Sequence, residues 1–189
     1  LRTRRQRQMC IRDSDEGAWW VQDAGATLPV QLFGKLDGAN VLDVCAAPGG
    51  KTAQLLCGGA NVTAIDISKV RIRRLKENLD RLGLKAELIH ADIKKWTTSR
   101  LFDFIFLDAP CSATGTIRRN PDVLIHKTYE DVQKLSIVQM EILQKVSKLV
   151  RPGGQLVYCT CSLQYEEGEA QVERFLSKNT GFSLSLIHI

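Results

Sequence analysis

A short apolar run that breaks into a turn of small residues constrains this chain more than any other stretch. Residues 40–44 read Asn-Val-Leu-Asp-Val and are followed at 45–52 by Cys-Ala-Ala-Pro-Gly-Gly-Lys-Thr. The aliphatic residues predict a strand, and the amphipathic segment after the turn predicts a helix. Pro48 can stand only where no backbone N–H is needed, and Gly49 and Gly50 allow backbone amides to approach a ligand closely. This order indicates a loop that binds a nucleotide-like molecule.

Two common nucleotide-binding motifs are excluded by the residues in this loop. A phosphate-binding P-loop requires glycine five residues before the second glycine of the motif, where this chain has Cys45. A dinucleotide-binding loop requires G-x-G-x-x-G, and Cys45 and Ala47 occupy its first two glycine positions when the third is aligned on Gly50. The ligand is therefore expected to be of another kind.

Further apolar runs alternate with helical patterns along the chain. Strands are expected at 40–44, 62–66, 86–90, 101–107 and 155–159, and helices at 24–33, 51–56, 69–82, 129–150 and 166–176. Leu28 is expected to face the core, and residues 151–154 are expected to end the long helix. The alternation predicts an α/β fold with a doubly wound parallel sheet, whose ligands bind at the carboxyl ends of the strands.

The composition places the chain among cytoplasmic single-domain proteins. It has 189 residues, 44% of them hydrophobic, and no apolar run near the ~20 residues that a membrane helix needs. The six cysteines are expected as thiols without disulfides. No metal is expected, because only Cys159 and Cys161 are closely spaced. Most of the net charge of +5 comes from arginines in residues 1–14, so it is weak support for nucleic-acid binding.

Carboxylates and thiols follow the predicted strands. Asp66, Asp92, Asp108, Cys111 and Cys161 all come at or soon after the end of an apolar run. Asp66 is expected to bind ribose hydroxyls, although it could instead cap the next helix. Asp92 could reach the adenine edge of the same ligand or cap its own loop. The arginines and lysine at 71–81 are expected to form a solvated helix face rather than an RNA groove.

Four motifs in order resemble the RNA cytosine-C5 methyltransferases of the Sun/Fmu and Nop2/NSun type, in particular the bacterial members that act on small-subunit ribosomal RNA. They are 45–52, Asp-Ala-Pro-Cys-Ser-Ala-Thr-Gly at 108–115, Arg-Arg-Asn-Pro-Asp at 118–122, and Thr-Cys-Ser at 160–162 with Glu166-Glu167. The likeness covers about 19–176. It implies a Rossmann-like fold, S-adenosylmethionine as methyl donor, and an RNA substrate that is expected to be ribosomal.

The resemblance also implies a role for each motif residue. The methionine end of the cofactor would lie against Cys45, Ala46, Ala47, Pro48, Gly49, Gly50 and Lys51, with Asp66 on the ribose, Asp92 on the adenine and Asp108 near the donor centre. Cys161 would be the nucleophile and Cys111 would assist product release. Cys159 departs from the family pattern, and it leaves Cys111 and Cys159 as alternative nucleophiles. Arg118 and Arg119 could lower a thiol pKa or hold RNA phosphates.

The proposed chemistry itself requires a cysteine. Cytosine C5 is too electron-poor to attack a sulfonium methyl unaided, so a thiolate must first add to C6. Two other functions stay open at this point. One is a catalytically silent RNA-binding or ribosome-assembly factor, and the other is an amino-group methyltransferase that uses 108–111 as its catalytic loop.

The two ends of the chain resemble non-native sequence. We expect a non-native or disordered lead at 1–14, a methyltransferase domain at 15–180 and a non-native tail at 181–189. The methyltransferase sheet normally adds two strands after the last predicted helix, and an amino-terminal RNA-binding domain is also missing. We therefore expect a monomer that binds the cofactor weakly and does not methylate RNA by itself.

Overall fold

The computed structural model describes residues 13–185. Residues 1–12 and 186–189, which belong to the two expected non-native ends and include Cys10, lie outside this range. The chain divides into two compact units, Leu1–Asp92 and Ile93–Ile189. From Ala24 onwards the elements are α1 (Ala24–Gln31), β1 (Asn40–Val44), α2 (Gly50–Cys57), β2 (Asn61–Asp66), α3 (Lys69–Arg81), β3 (Glu87–His90), β4 (Phe102–Asp108), a 3-10 turn (Thr114–Thr116), α4 (Val123–His126), α5 (Tyr129–Ser147), β5 (Val150–Cys159), a second 3-10 turn (Tyr165–Glu167) and α6 (Glu169–Lys178).

Each unit contributes parallel strands with helices between them. In the first unit β1 and β3 both pair in parallel with β2, and the last pair of β2 and β3 is Asp66–His90. In the second unit β4 and β5 are parallel up to the pair Asp108–Cys159. The predicted α/β fold of the methyltransferase type is confirmed.

The first unit contains an apolar core under α2 and α3. Leu42, Leu55 and Leu75 are each 0% exposed. The prediction that Leu28 faces the core is wrong, because Leu28 is 59% exposed while Val30 is 3% exposed. Residues two positions apart on a helix point about 200° away from each other, so burial of Val30 turns Leu28 to solvent. Since α1 ends at Gln31, the buried Phe33 is no longer on the helix.

The second unit differs from the prediction at the start of β5. Residues 150–154 belong to this strand and not to the end of the preceding helix, which stops at Ser147. Gly153 has φ +76°, a left-handed conformation that favours glycine. A Cβ at Gly154 would lie 2.7 Å from the carbonyl oxygen of Asp103. Glycine therefore lets the backbone pass close to β4, and the ion pair of Arg151 with Asp103 at 2.6 Å holds it there.

Both long helices of the second unit begin at identifiable structures. At the start of α5, Thr128 and Asp131 form a reciprocal capping box, which the sequence prediction missed. The last helix, α6, starts at Glu169 and not at the predicted Glu166, because a 3-10 turn precedes it. Among residues 13–185, none of the helices is both long enough and apolar enough to cross a membrane.

Candidate active site

The loop after β1 is folded tightly against α3. Cys45 and Gly49 have φ of +60° and +104°, both in the left-handed region. A Cβ at Gly49 would lie 3.1 Å from Cγ of Leu75, so glycine allows the helix to approach the loop backbone. The Gly49 carbonyl accepts from the Ala53 amide at 2.8 Å, which starts α2. The first-turn amides of a helix have no intrahelical acceptor, so they can serve an anionic ligand.

Side chains that the sequence analysis did not assign hold this loop in place. Thr52 Oγ1 donates to Asp43 Oδ2 at 2.6 Å, and both residues are 0% exposed, which ties α2 to β1. Asn78 Nδ2 donates to the Pro48 carbonyl at 2.9 Å, and the Arg71 guanidinium donates to the Ala47 carbonyl. The sequence indicated the roles of Asn78 and Arg71 only through their positions on the polar face of α3.

Asp66 forms a buried link between this loop and α3. The residue is 3% exposed; its Oδ1 accepts from the Ser68 amide at 2.9 Å and its Oδ2 accepts from the Ala47 amide at 3.3 Å. Arg71 Nη1 lies 3.5 Å from the same Oδ2. The cap of α3 is Ser68, whose hydroxyl accepts from the Arg71 amide at 3.3 Å, so Asp66 holds the turn before the helix and does not cap it. Ribose binding by Asp66 stays a prediction.

Asp92 follows β3 and is half-buried. The amide of Ala91, the residue before it, donates to the Asp66 carbonyl at 3.2 Å. The backbone next to Asp92 is therefore tied to the end of β2, where Asp66 lies. Its predicted contact with adenine remains untested.

In the second unit, Cys111 and Cys161 come together from the ends of β4 and β5. Their Sγ atoms are 3.4 Å apart; Cys161 is exposed and Cys111 is half-buried. The hydrogen bond with Cys161, burial and the nearby Cys161 charge together raise the pKa of Cys111. Cys111 therefore keeps its proton, and that proton can be shared with the sulfur of Cys161.

The remaining described cysteines occupy other surroundings. Cys159 Sγ lies 3.6 Å from Asp108 Oδ1, so this thiol faces a carboxylate and has a different partner from Cys161. Cys57, in the last turn of α2, is exposed. Cys45 is half-buried in the loop after β1. Within residues 13–185, no three His, Cys, Asp or Glu side chains are grouped so that they could hold a metal ion.

Several basic residues of α3 are engaged within the chain. On α3, Arg73 lies 3.9 Å from Glu77 and Lys76 lies 2.6 Å from Asp80, both at helical i,i+4 spacing. Arg81 donates to the carbonyl oxygen of Trp19 at 3.3 Å. These contacts favour the solvated-face interpretation over an RNA groove. Arg118 and Arg119, in the second unit, are exposed, and their predicted roles stay open.

A family model described as 16S rRNA methyltransferase RsmB/F matches residues 30–189. The chain belongs to this family. It is 43% identical over 175 residues to ribosomal RNA small subunit methyltransferase B of Salmonella arizonae, covering 90% of this chain and 41% of the relative. It is 44% identical over 168 residues to the protein of the same name from Vibrio cholerae, covering 86% of this chain and 39% of the relative.

A solved structure agrees with the family assignment. The crystal structure of NSun6 from Pyrococcus horikoshii with SFG superimposes with a TM-score of 0.81 at 33% identity, covering 89% of this chain and 44% of that one. The resemblance to the Sun/Fmu and NSun type, the Rossmann-like methyltransferase fold and S-adenosylmethionine as cofactor are thereby confirmed. The chain spans about two fifths of the length of the curated relatives it matches.

Proposed function

We propose that this chain is the catalytic part of an enzyme that transfers a methyl group from S-adenosylmethionine to C5 of a cytosine in ribosomal RNA, through a covalent bond between Cys161 and C6. The observation that carries the proposal is the thiol pair, with Sγ atoms 3.4 Å apart and Cys161 exposed. The family assignment supports methylation of ribosomal RNA. The thiol pair supports cytosine as the base and C5 as the atom that is methylated. We further propose that the protein acts in the cytoplasm as a monomer.

The thiol pair suits the reaction because its members differ in environment. The raised pKa of Cys111 keeps its proton in place, and an S–H that donates to Cys161 stabilises a thiolate there. A thiolate is the form that adds to a pyrimidine ring. Cys159 faces Asp108 at 3.6 Å, and a neighbouring carboxylate disfavours a second negative charge. We therefore assign the nucleophile to Cys161.

The steps follow from the electronic structure of cytosine. The Cys161 thiolate adds to C6, and the electrons displaced from the C5–C6 double bond make C5 a nucleophile. S-adenosylmethionine supplies an electrophilic methyl group that C5 accepts. Loss of the C5 proton to a base then restores the double bond and expels the Cys161 sulfur. Cys111, whose proton lies beside that sulfur, would assist this release.

The first unit contains the groups that fit the cofactor. Gly49 has a φ of +104°, which strains any residue with a side chain, and a Cβ there would press on Leu75, so glycine suits the loop backbone at this position. The loop residues 45–51 and the first turn of α2 offer amides for a methionine carboxylate. Asp66 and Asp92 offer carboxylate oxygens for the hydroxyl and amino groups of an adenosine. In the second unit, Asp108 ends β4, and its predicted place near the donor centre is part of the proposal.

The test is a trapping experiment with RNA that contains 5-fluorocytosine. After methyl transfer there is no C5 proton to remove, so the protein stays bonded to the base, and peptide mapping identifies the cysteine. We expect the nucleotide on Cys161, no trapping with Cys161→Ala, and trapping unchanged with Cys57→Ala, an exposed thiol outside the proposed chemistry. The 189-residue chain is compared with a chimera in which its residues 30–185 replace the matching segment of the Vibrio cholerae relative.

Three results would contradict the proposal. A nucleotide mapped to Cys111 or Cys159 would show that this residue, and not Cys161, is the nucleophile. Methyl transfer that persists in Cys161→Ala would indicate an amino-group methyltransferase. A chimera that binds RNA but forms neither product nor adduct would indicate a silent RNA-binding factor. Activity of the chimera without activity of the 189-residue chain is the result that we expect.

A further inference from the structure

Glu167 is a buried carboxylate to which neither the proposed reaction nor the cofactor gives a role. It lies in the 3-10 turn between β5 and α6 and is 0% exposed. Burial of a carboxylate is unfavourable unless hydrogen-bond donors replace the water it loses. The hydrogen-bond donors around Glu167 therefore indicate its structural role.

The donors to Glu167 come from the segment that carries Cys111. The Ser112 amide donates to Oε1 at 2.9 Å, and the Ser112 hydroxyl donates to Oε2. Gln139 Nε2 donates to Oε1 at 2.9 Å and also to the carbonyl oxygen of Pro110 at 2.9 Å. Pro110 and Ser112 are the two neighbours of Cys111 in the sequence. One carboxylate and one amide thus hold the backbone on both sides of this thiol.

A chain of hydroxyl groups continues from Glu167 to the segment that carries Cys161. Ser112 has a single hydroxyl proton and donates it to Glu167, so Ser162 Oγ, at 3.0 Å, must donate to Ser112. Ser162 then accepts from Thr114 Oγ1 at 3.2 Å, and Thr114 accepts from the Leu163 amide at 2.9 Å. Donation by Ser112 to Glu167 therefore fixes the direction of the two hydroxyl bonds that follow, and such chains strengthen cooperatively.

Backbone contacts complete the connection between the two segments. The Gly115 amide donates to the Cys161 carbonyl at 2.9 Å. A Cβ at Gly115 would lie 2.8 Å from that oxygen, so only glycine permits the approach. The segments after β4 and β5 are therefore fixed to each other on both sides of the thiol pair.

We infer that Glu167 is a positioning residue, which holds Cys111 and Cys161 at bridging distance by anchoring the segments that carry them. The inference rests on the proposed function for its biological meaning. The geometry that it concerns can be measured without RNA or methyl donor, so the two can fail separately.

The test uses phenylarsine oxide, which forms two S–As bonds with a close pair of thiols and releases one water. We expect the unmodified chain to bind one equivalent, and Cys161→Ser to lose this binding, which identifies the pair. Glu167→Gln keeps the size of the side chain but must donate to Ser112, which reverses the hydroxyl chain. We expect the arsenical to bind about tenfold more weakly, because the second sulfur no longer benefits from a fixed neighbour.

Two variants and one control separate positioning from general stability. Ser112→Ala removes the hydroxyl group that links Glu167 to Ser162 but keeps the Glu167 side chain and the Ser112 amide, and we expect a similar loss of bridging. Glu166→Gln is the matched control, because Glu166 is adjacent and its carboxylate accepts from Tyr129 at an exposed site. A purely structural role would lower the melting temperature of Glu167→Gln without changing the arsenical affinity of the folded protein.

The affinities of the variants for phenylarsine oxide decide whether Glu167 positions the thiols. If Glu167→Gln and Ser112→Ala both bind phenylarsine oxide as tightly as the unmodified chain, the inference is overturned. If Glu167→Gln does not fold, Ser112→Ala decides the question alone. Weaker bridging in the variants combined with no methyl transfer by the unmodified chimera would keep the positioning role and reject the proposed function.

Discussion

Substitution of Gly115 by alanine probes the contact between the two thiol-bearing segments. The new Cβ would lie 2.8 Å from the Cys161 carbonyl oxygen, and ordinary contact begins at 3.4 Å, so the backbone must retreat by about 0.6 Å. Overpacking of this kind costs roughly 1–3 kcal/mol. The hydrogen bond from the Gly115 amide to the same oxygen lengthens as well, at a cost of about 0.5–1.5 kcal/mol. The lower entropy of the unfolded alanine variant offsets about 0.4–1 kcal/mol.

The expected net loss is about 0.5–4 kcal/mol of unfolding free energy, which at a urea m-value of about 2 kcal/mol/M lowers the urea midpoint by roughly 0.3–2 M. Because the shift moves Cys161 itself, methyl transfer by the chimera that carries this substitution should fall by up to about 100-fold. Gly181→Ala is the control, since a Cβ there meets nothing within 4 Å. Equal urea midpoints and equal activity for the Gly115 and Gly181 variants would refute the reasoning, because they would mean that the two segments do not approach each other as described.

Three further predictions concern the core, a helix start and the thiols. Leu42→Ala should cost about 2–5 kcal/mol of unfolding free energy, and Leu28→Ala almost nothing, because Leu42 is 0% and Leu28 59% exposed; equal urea midpoints would contradict this. Thr128→Ala should lower the stability of α5 by about 1 kcal/mol through loss of its cap, measured by thermal unfolding. At pH 8 iodoacetamide should modify Cys161 before Cys111, because the raised pKa of Cys111 keeps it a thiol; mass spectrometry showing the reverse order would reject the assignment.

Local patterns were sufficient to predict most of the elements. The five strands are predicted correctly because apolar runs of strand length end in turn residues. Predictions failed where a distant contact overrides the local pattern. Residues 151–154 have the composition of a turn, yet they lie in β5 because glycine lets them pass close to Asp103.

Part of the candidate site was predicted and part was not. The motifs placed Cys111 and Cys161 at strand ends, and the structure brings their sulfur atoms together. The role of Glu167 could not be predicted, although the residue was part of a motif. Its donors are Ser112 and Gln139, which are 55 and 28 positions away, and no local pattern indicates which of two adjacent glutamates turns inward.

The sequence alone determined the order of strands and helices, the residues at the strand ends and the family. These depend on residues that are close together in the sequence and on the residues of short motifs. Tertiary structure alone decided which thiol meets which partner: Cys161 pairs with Cys111, while Cys159 faces Asp108. The reason is that a side chain's partner depends on the packing of both strands and the loops after them. The local composition of the sequence does not distinguish between two such arrangements.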